Sequence, residues 1–264
     1  MALCLVLSVA QDASKGQPAK PQPNSQTDIP QQKELEFASP AMSDMRNMDH
    51  GAMDHGLDMS THHMHMDGAH MHMTKLRTPQ PGDQEKADRI LDEVKLAMTQ
   101  WKDWKAAERD GFKIFLPNVP QPEYHFTNWK YAVENQFHFN PSHPTSLLFK
   151  KTGPDQFELV GAMFTAPKRF TEAQINERVP LSITQWHLHT NFCQAPKGRE
   201  KEYIGKDAKF GLLGSISTQA ECDKEGGRFQ PILFNWMVHV YPYEKTQDAI
   251  WVREMKMAGM DHDH

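Results

Sequence analysis

Residues 183–192 read ITQWHLHTNF, an alternation typical of a β-strand with two different faces. One face is mostly apolar, and the other is mostly polar and carries both His187 and His189. A later strand is predicted over 232–243, where His239 lies on the face opposite the aliphatic residues. If these two strands are neighbours, three imidazoles converge on one side of a sheet.

The segments around this pair predict an α+β fold. Asp83 is a candidate N-cap for a long amphipathic helix that runs to about Arg109. The remaining predicted elements are a β-hairpin of 146–152 with 157–165, a short helix over 171–178 begun by Thr171, and a helix over 217–225 begun by Ser217 or Thr218. This order indicates a single domain over 83–254 with a mainly antiparallel sheet.

A stretch rich in methionine, histidine and aspartate precedes that domain, between Met42 and Met73. It has no apolar periodicity, so we expect a disordered arm in the absence of metal. Thioethers favour Cu(I), whereas imidazoles bind copper and zinc alike, so the mixture indicates copper, with zinc as the alternative. The candidate ligands are Met48, His50, Met53, His55, Met59, His62, His63, Met64, His65, Met66, His70, Met71, His72 and Met73, with Met260, His262 and His264 of the tail over 255–264.

Within this arm, Met-Asp-His-Gly occurs twice, at 48–51 and 53–56. The repeat resembles the Met/His-rich segments of bacterial periplasmic copper-resistance proteins, both the multicopper-oxidase type and the outer-membrane type. The resemblance covers only the low-complexity pieces of the chain. It implies copper handling outside the cytoplasm, with an envelope copper-handling protein as a candidate partner.

The start of the chain also indicates export. Residues 1–10 contain a short apolar run that ends in Ser-Val-Ala, which is typical of a truncated secretory signal and too short to span a bilayer. The alternative is an ordinary hydrophobic N-terminus. A linker rich in proline and glutamine follows, so that 11–82 form linker and arm together. In an exported protein, Cys193 and Cys222 are expected to form a disulfide; in a cytosolic one they would be two thiols. We therefore predict a periplasmic or secreted protein.

The charge of the chain excludes one class of partner. The net charge is −5 and no basic run is present, which argues against binding to nucleic acid.

The folded domain offers a second candidate metal site, formed by His187, His189 and His239, with His125 or Glu158 as a fourth ligand. Three imidazoles with an open position suit zinc, copper or non-haem iron. The His-x-His pair with a distant histidine is similar to the pattern of cupins, although their usual glutamate and glycine motif is not found here. The alternative is a set of buried polar residues that hydrogen-bond to the backbone and to one another.

Two functions follow from these residues. The first is an exported copper-binding protein that acts in copper sequestration, delivery or resistance. The second is a metal-dependent enzyme, an oxidase or hydrolase, that works at the three histidines. A third hypothesis is an envelope interaction protein with an incidental biased tail.

Overall fold

An antiparallel sheet of eight strands organises the chain in a computed structural model that describes residues 68–117, 121 and 123–252. The strands are β1 (Met71–Met73), β2 (Lys113–Ile114), β3 (Glu123–Thr127), β4 (Ser146–Gly153), β5 (Gln156–Ala166), β6 (His187–Gln194), β7 (Arg228–Ile232) and β8 (Trp236–Val240). They lie in the order β1-β6-β8-β5-β4-β3-β2, and β7 pairs with β6 outside this path. The predicted α+β class with an antiparallel sheet is confirmed.

The helices of the described residues are short. They are α1 (Asp83–Met98), α2 (Trp104–Arg109), α3 (Trp129–Glu134), α4 (Glu172–Asn176), α5 (Gln219–Lys224) and α6 (Gln247–Trp251), with 3-10 turns at Thr99–Trp101 and Glu200–Tyr203. None of the helices in this part of the chain has the length and apolarity that a bilayer span requires.

The predicted single helix over 83–109 is wrong in extent. α1 ends at Met98, and a separate helix α2 begins at Trp104. The Asp103 side chain accepts a hydrogen bond from the Lys105 amide, which caps the new helix and separates it from the first.

Of the N-caps predicted for the helices, Asp83 is wrong, whereas Thr171 and Thr218 are right. The N-cap of α1 is Gly82, and the Asp83 carboxylate instead accepts hydrogen bonds from the Gln80 amide and the Ser182 hydroxyl. The predicted caps Thr171 and Thr218 are confirmed. Each forms a capping box with the residue three positions later.

Both predicted histidine-bearing strands are shorter than expected. Residues 181–183 form a turn, in which the Pro180 carbonyl accepts the amides of Ile183 and Thr184. Residues 184–186 are irregular, and β6 begins only at His187. The segment 232–243 is divided between two strands, because the chain turns after Ile232 and pairs again only from Trp236. In both cases the apolar pattern continues through a turn that breaks the strand.

One face of the sheet carries the main hydrophobic core. The aligned residues Phe126, Leu147, Ala162 and Val240 are all fully buried, and they extend this core across β3, β4, β5 and β8. The buried side of α1, including Val94 and Met98, belongs to the same cluster. The helical layer therefore covers this face.

The opposite face is concave. His125 of β3 and His239 of β8 are three strands apart, which is about 14 Å in a flat sheet. Their ring centroids are nevertheless only 5.6 Å apart. The Tyr241 hydroxyl also donates a 2.7 Å hydrogen bond to the Glu123 carboxylate across the same gap. The sheet therefore curls, and Gly161 allows close approach, because a Cβ there would lie 2.8 Å from the Val240 carbonyl oxygen.

The end of the Met/His-rich stretch belongs to the sheet. Met71–Met73, which composition alone assigns to the arm, form the edge strand β1 and pair with β6. The Thr190 amide donates to the His70 carbonyl, and the Thr74 amide donates to the Trp186 carbonyl. Backbone hydrogen bonds thus attach this stretch to β6 at both ends.

A disulfide between Cys193 and Cys222 joins the end of β6 to α5, as the sequence predicted. The two cysteines are 29 residues apart and are both fully buried. A disulfide in a folded core is typical of an oxidising, non-cytoplasmic compartment.

We predict that replacing both cysteines with alanine lowers the free energy of unfolding by about 3 kcal/mol, because the unfolded chain gains the entropy of an open loop. Urea denaturation with and without reductant measures this difference. The reductant should destabilise the wild type and leave the double variant unchanged. An equal response of the two proteins would contradict a structural role for the disulfide.

Candidate metal centre

Four histidines meet on the concave face of the sheet. His187 and His189 are two positions apart in β6 and share one face, His239 lies in β8, and His125 lies in β3. The only register pair that the structure gives between β6 and β8 is His187 with Met237, which places His187 and His239 on the same face two residues apart in register. The neighbouring strands that the sequence analysis required are therefore present.

Neighbouring rings in the series His189, His187, His239 and His125 are evenly spaced. The centroid of the His187 ring lies 5.4 Å from that of His189 and 5.2 Å from that of His239, and the His239 ring lies 5.6 Å from that of His125. With metal–nitrogen bonds of about 2 Å, imidazoles bound to one tetrahedral ion have centroids roughly 5 Å apart. Each neighbouring pair in the series His189, His187, His239 and His125 is therefore at the separation of two imidazoles on one ion.

Ring orientation is the remaining condition. Among the described residues, no group of three or more His, Cys, Asp or Glu side chains is arranged to hold a metal ion. The rings of His187 and His189 are nearly perpendicular, at 86°, and those of His187 and His239 are inclined at 67°. The side chains as described therefore do not form a complete coordination site.

The four side chains are removed from water, with relative exposures between 0 % and 2 %. Both ring nitrogens of His125 and His189, and Nε2 of His187, have no hydrogen-bond partner among the described residues. An unsatisfied buried polar group costs about 1–3 kcal/mol, so native proteins nearly always provide a partner. A metal ion that accepts these lone pairs would satisfy several of them at once.

Burial also determines the charge of these rings. It lowers the pKa of His189 to about 4, with further lowering from the nearby His125 and His70. Burial likewise lowers the pKa of His125 to about 4 and outweighs a weaker opposing interaction with the backbone of Glu123. The pKa of His187 is lowered well below its usual value, first by burial and then by the neighbouring histidines. At neutral pH these three rings are uncharged, which is the form that binds metal.

Thioethers flank the four imidazoles on the same face. Met163 pairs with His239, Met237 pairs with His187, and Met71 pairs with His189. Met163 and Met237 belong to a buried cluster with Leu148, Tyr241 and Val252. A set of imidazoles beside thioethers is softer than a set of imidazoles and carboxylates.

Several predicted ligands and neighbours lie elsewhere. Glu158 is exposed and pairs with Lys150, five residues along β5 from Met163, which corresponds to roughly 16 Å. Gln185 donates to the Thr74 carbonyl and Asn191 donates to the Ala69 carbonyl. Of the two fourth ligands suggested by the sequence, the structure brings His125 to the cluster and leaves Glu158 outside it.

The arm divides at the boundary of the described residues. His70, Met71, His72 and Met73 are described, and His72 lies on the opposite face from the cluster, with its ring 5.7 Å from that of Trp236. The remaining predicted ligands lie outside the described residues: Met48, His50, Met53, His55, Met59, His62, His63, Met64, His65, Met66, Met260, His262 and His264.

Sequence reasoning missed two thioethers beside the cluster, those of Met163 and Met237. Met237 lies two residues before His239, on the same face of β8. Its role as a neighbour of His187 depends on strand pairing, which the sequence does not give. Met163 carries no signal of its own, because it reads as one apolar residue in an apolar strand.

Comparisons with known proteins identify no relative: no protein-family model, curated protein or solved structure matches this chain. The function must therefore be argued from the site itself.

We predict that acid destabilises the metal-free protein between pH 6.5 and about 4. The unfolded chain takes up protons on histidine near pH 6.5, whereas His125 and His189 stay neutral in the fold until about pH 4. Each of these histidines therefore adds a slope of up to about 1.4 kcal/mol per pH unit in this window, and the stability is present above it and lost as the pH falls through it.

Urea denaturation in the presence of chelators, at steps of pH, measures that slope. His125→Phe should reduce it, because the variant lacks one of the two titrating rings. His72→Gln is the control, since His72 is exposed. The same slope in His125→Phe and the wild type would contradict the prediction.

Proposed function

We propose that this chain is an exported copper-binding protein that acts in copper sequestration, delivery or resistance. The observation that carries the proposal is the cluster of four buried histidines, three of which are held neutral and have ring nitrogens without a partner among the described residues. The Met/His-rich stretch joins the sheet beside this cluster, through β1. The arm would collect copper, and the cluster would hold it.

The surroundings of the cluster favour copper over zinc. Its neighbours include the thioethers of Met71, Met163 and Met237, which are good ligands for Cu(I) and poor ones for hard ions. Glu123, a carboxylate on this face, accepts the Tyr241 hydroxyl. Because the cost of burying an ion rises steeply with its charge, neutral imidazoles stabilise a monovalent ion more easily than a divalent one.

The cellular location also fits this proposal. The Cys193–Cys222 disulfide indicates an oxidising compartment, and the apolar start of the sequence is typical of an exported protein. Cu(I) chemistry outside the cytoplasm relies on thioether and imidazole ligands, because thiols there become oxidised.

A metal-dependent oxidase or hydrolase with zinc or iron is the second candidate. It is favoured by the four-imidazole arrangement and by Tyr241, whose ring lies 6.4 Å from that of His239. A metal held there would lower the pKa of a bound water or bind oxygen. Burial argues for storage instead, because a substrate would have to reach rings that are at most 2 % exposed.

We predict that the arm supplies capacity. Replacing the Met and His residues of 42–67 with Ser, at unchanged length, should lower the number of bound Cu(I) ions by several per chain, because the collecting ligands are removed. Titration of the full-length protein against a Cu(I) chelator measures the stoichiometry. An unchanged stoichiometry would contradict a collecting role for the arm.

We predict that the histidine cluster supplies affinity. In the arm-substituted protein, His187→Gln or His239→Gln should weaken the remaining Cu(I) site by about 100-fold, while His72→Gln leaves it unchanged. Competition with Zn(II) in the same assay tests the choice of metal. A site that prefers zinc, or that is insensitive to both substitutions, would contradict the proposed copper centre.

If the second candidate is correct, His187→Gln and His239→Gln should abolish a metal-dependent oxidase or hydrolase activity that the arm substitution leaves intact. The copper-storage proposal predicts binding without such turnover. Assays of both activities on the zinc-, iron- and copper-loaded protein separate the two functions.

A further inference from the structure

His70 holds one ring nitrogen in a form that can bind metal. Its Nε2 lies 2.7 Å from the Gly214 carbonyl oxygen, which can only accept a hydrogen bond, so Nε2 must carry the proton. In the neutral ring this leaves the lone pair on Nδ1. Metal-binding histidines commonly donate their second nitrogen to a carbonyl in this way, which fixes both tautomer and ring orientation.

The Nδ1 atom of His70 is buried and has no hydrogen-bond partner among the described residues. The residue as a whole is 8 % exposed. A fixed, buried nitrogen acceptor without a partner is costly unless a ligand or ion occupies its lone pair. His70 is thus a fifth buried histidine with an unpartnered ring nitrogen, outside the strands β3, β6 and β8 that carry the cluster.

Two further soft or borderline ligands lie next to His70. Met71 follows it in the chain and pairs with His189, so that the thioether and the His189 imidazole share the concave face. The Thr190 amide donates to the His70 carbonyl, which places His70 beside the residue that follows His189. One lone pair from each imidazole and one thioether form the three-coordinate set that Cu(I) accepts.

We propose that His70, Met71 and His189 form an edge site for Cu(I), through which the ion passes to the four-histidine cluster. The inference rests on the proposed copper function and deepens it by naming the entry point. Its ligand class is a monovalent soft cation, Cu(I) or its analogue Ag(I).

His189 can act as the exchange point. Both of its ring nitrogens are buried without a partner among the described residues. A neutral imidazole has only one lone pair at a time, so His189 serves either the edge site or the cluster. An ion held by His70 and Met71 therefore moves inward when His189 shares it with His187, whose ring lies 5.4 Å away.

The edge strand β1 has only three residues. Its Met73 is partly exposed and pairs with His187, whereas Met71 is 8 % exposed and pairs with the fully buried His189. Thioethers of this edge strand therefore lie opposite both buried imidazoles of β6.

Two substitutions each remove one ligand of the edge site while keeping a side chain of similar volume. His70→Gln retains a donor for the Gly214 carbonyl and lacks Nδ1, and Met71→Leu retains an apolar side chain without sulfur. The matched controls are His138→Gln, an exposed histidine that follows α3, and Met98→Leu, a buried methionine of α1. Stopped-flow transfer of Cu(I) from a chelator complex to the full-length protein measures the rate.

Transfer into the cluster should be about tenfold slower or more in both edge variants and unchanged in both controls, as expected when a ligand is lost from a metal site. Rates equal to those of the controls would overturn the edge site. Absence of Cu(I) binding by the wild type would instead overturn the proposed function, so the two failures are distinguishable.

A second measurement needs no variant. In full-length protein labelled with 13C at the methionine methyl groups, Ag(I) should shift the Met71 resonance, and the Met98 resonance should stay in place. A Met71 resonance that does not respond to Ag(I) would overturn the proposal even if the substituted proteins failed to fold.

Discussion

Desolvation of imidazoles is the constraint on which this structure depends. His125, His187, His189 and His239 are buried within the fold, and burial prevents at least three of them from holding a proton at neutral pH. A neutral ring in such a place needs either a hydrogen-bond partner or an ion. The curl of the sheet gives the rings one another as neighbours instead. The resulting set has little net charge and many lone pairs, and on this ground we propose that it binds a metal ion.

The hydrophobic core makes this arrangement possible. The opposite face packs in one apolar cluster with α1, through Phe126, Leu147, Ala162 and Val240. This packing fixes the positions of the strands without any contribution from the polar face. The register of β5, β6 and β8 then determines which side chains are neighbours on the histidine face. A site that costs stability can persist because the apolar face compensates for it.

The sequence predicted which histidines share a face better than it predicted how the sheet brings them together. Alternation placed His187 and His189 on one face, and the separate strand supplied His239. His125 was only one of two candidates for a fourth ligand, because it reaches the others through a curl that no local pattern encodes. Capping residues such as Thr171 and Thr218 were predictable because their hydrogen bonds are local.

Errors arose where tertiary contacts overrule composition. Met71–Met73 resemble the rest of the arm in sequence, yet hydrogen bonds to β6 make them a strand. The pattern over 232–243 also hides a turn, because buried turn residues are as apolar as strand residues. In both cases the strand bounds depend on pairing with strands that are distant in sequence.

The hydrogen bond between Tyr241 and Glu123 has a consequence for how the protein opens. It joins the residue that follows β8 to β3 across the concave face, and so it stabilises that side of the curled sheet. The opposite margin is held by three residues of β1. Thermal breathing and amide exchange should concentrate at that weaker margin, which makes the molecule hinge open on the side where the methionine-rich chain enters.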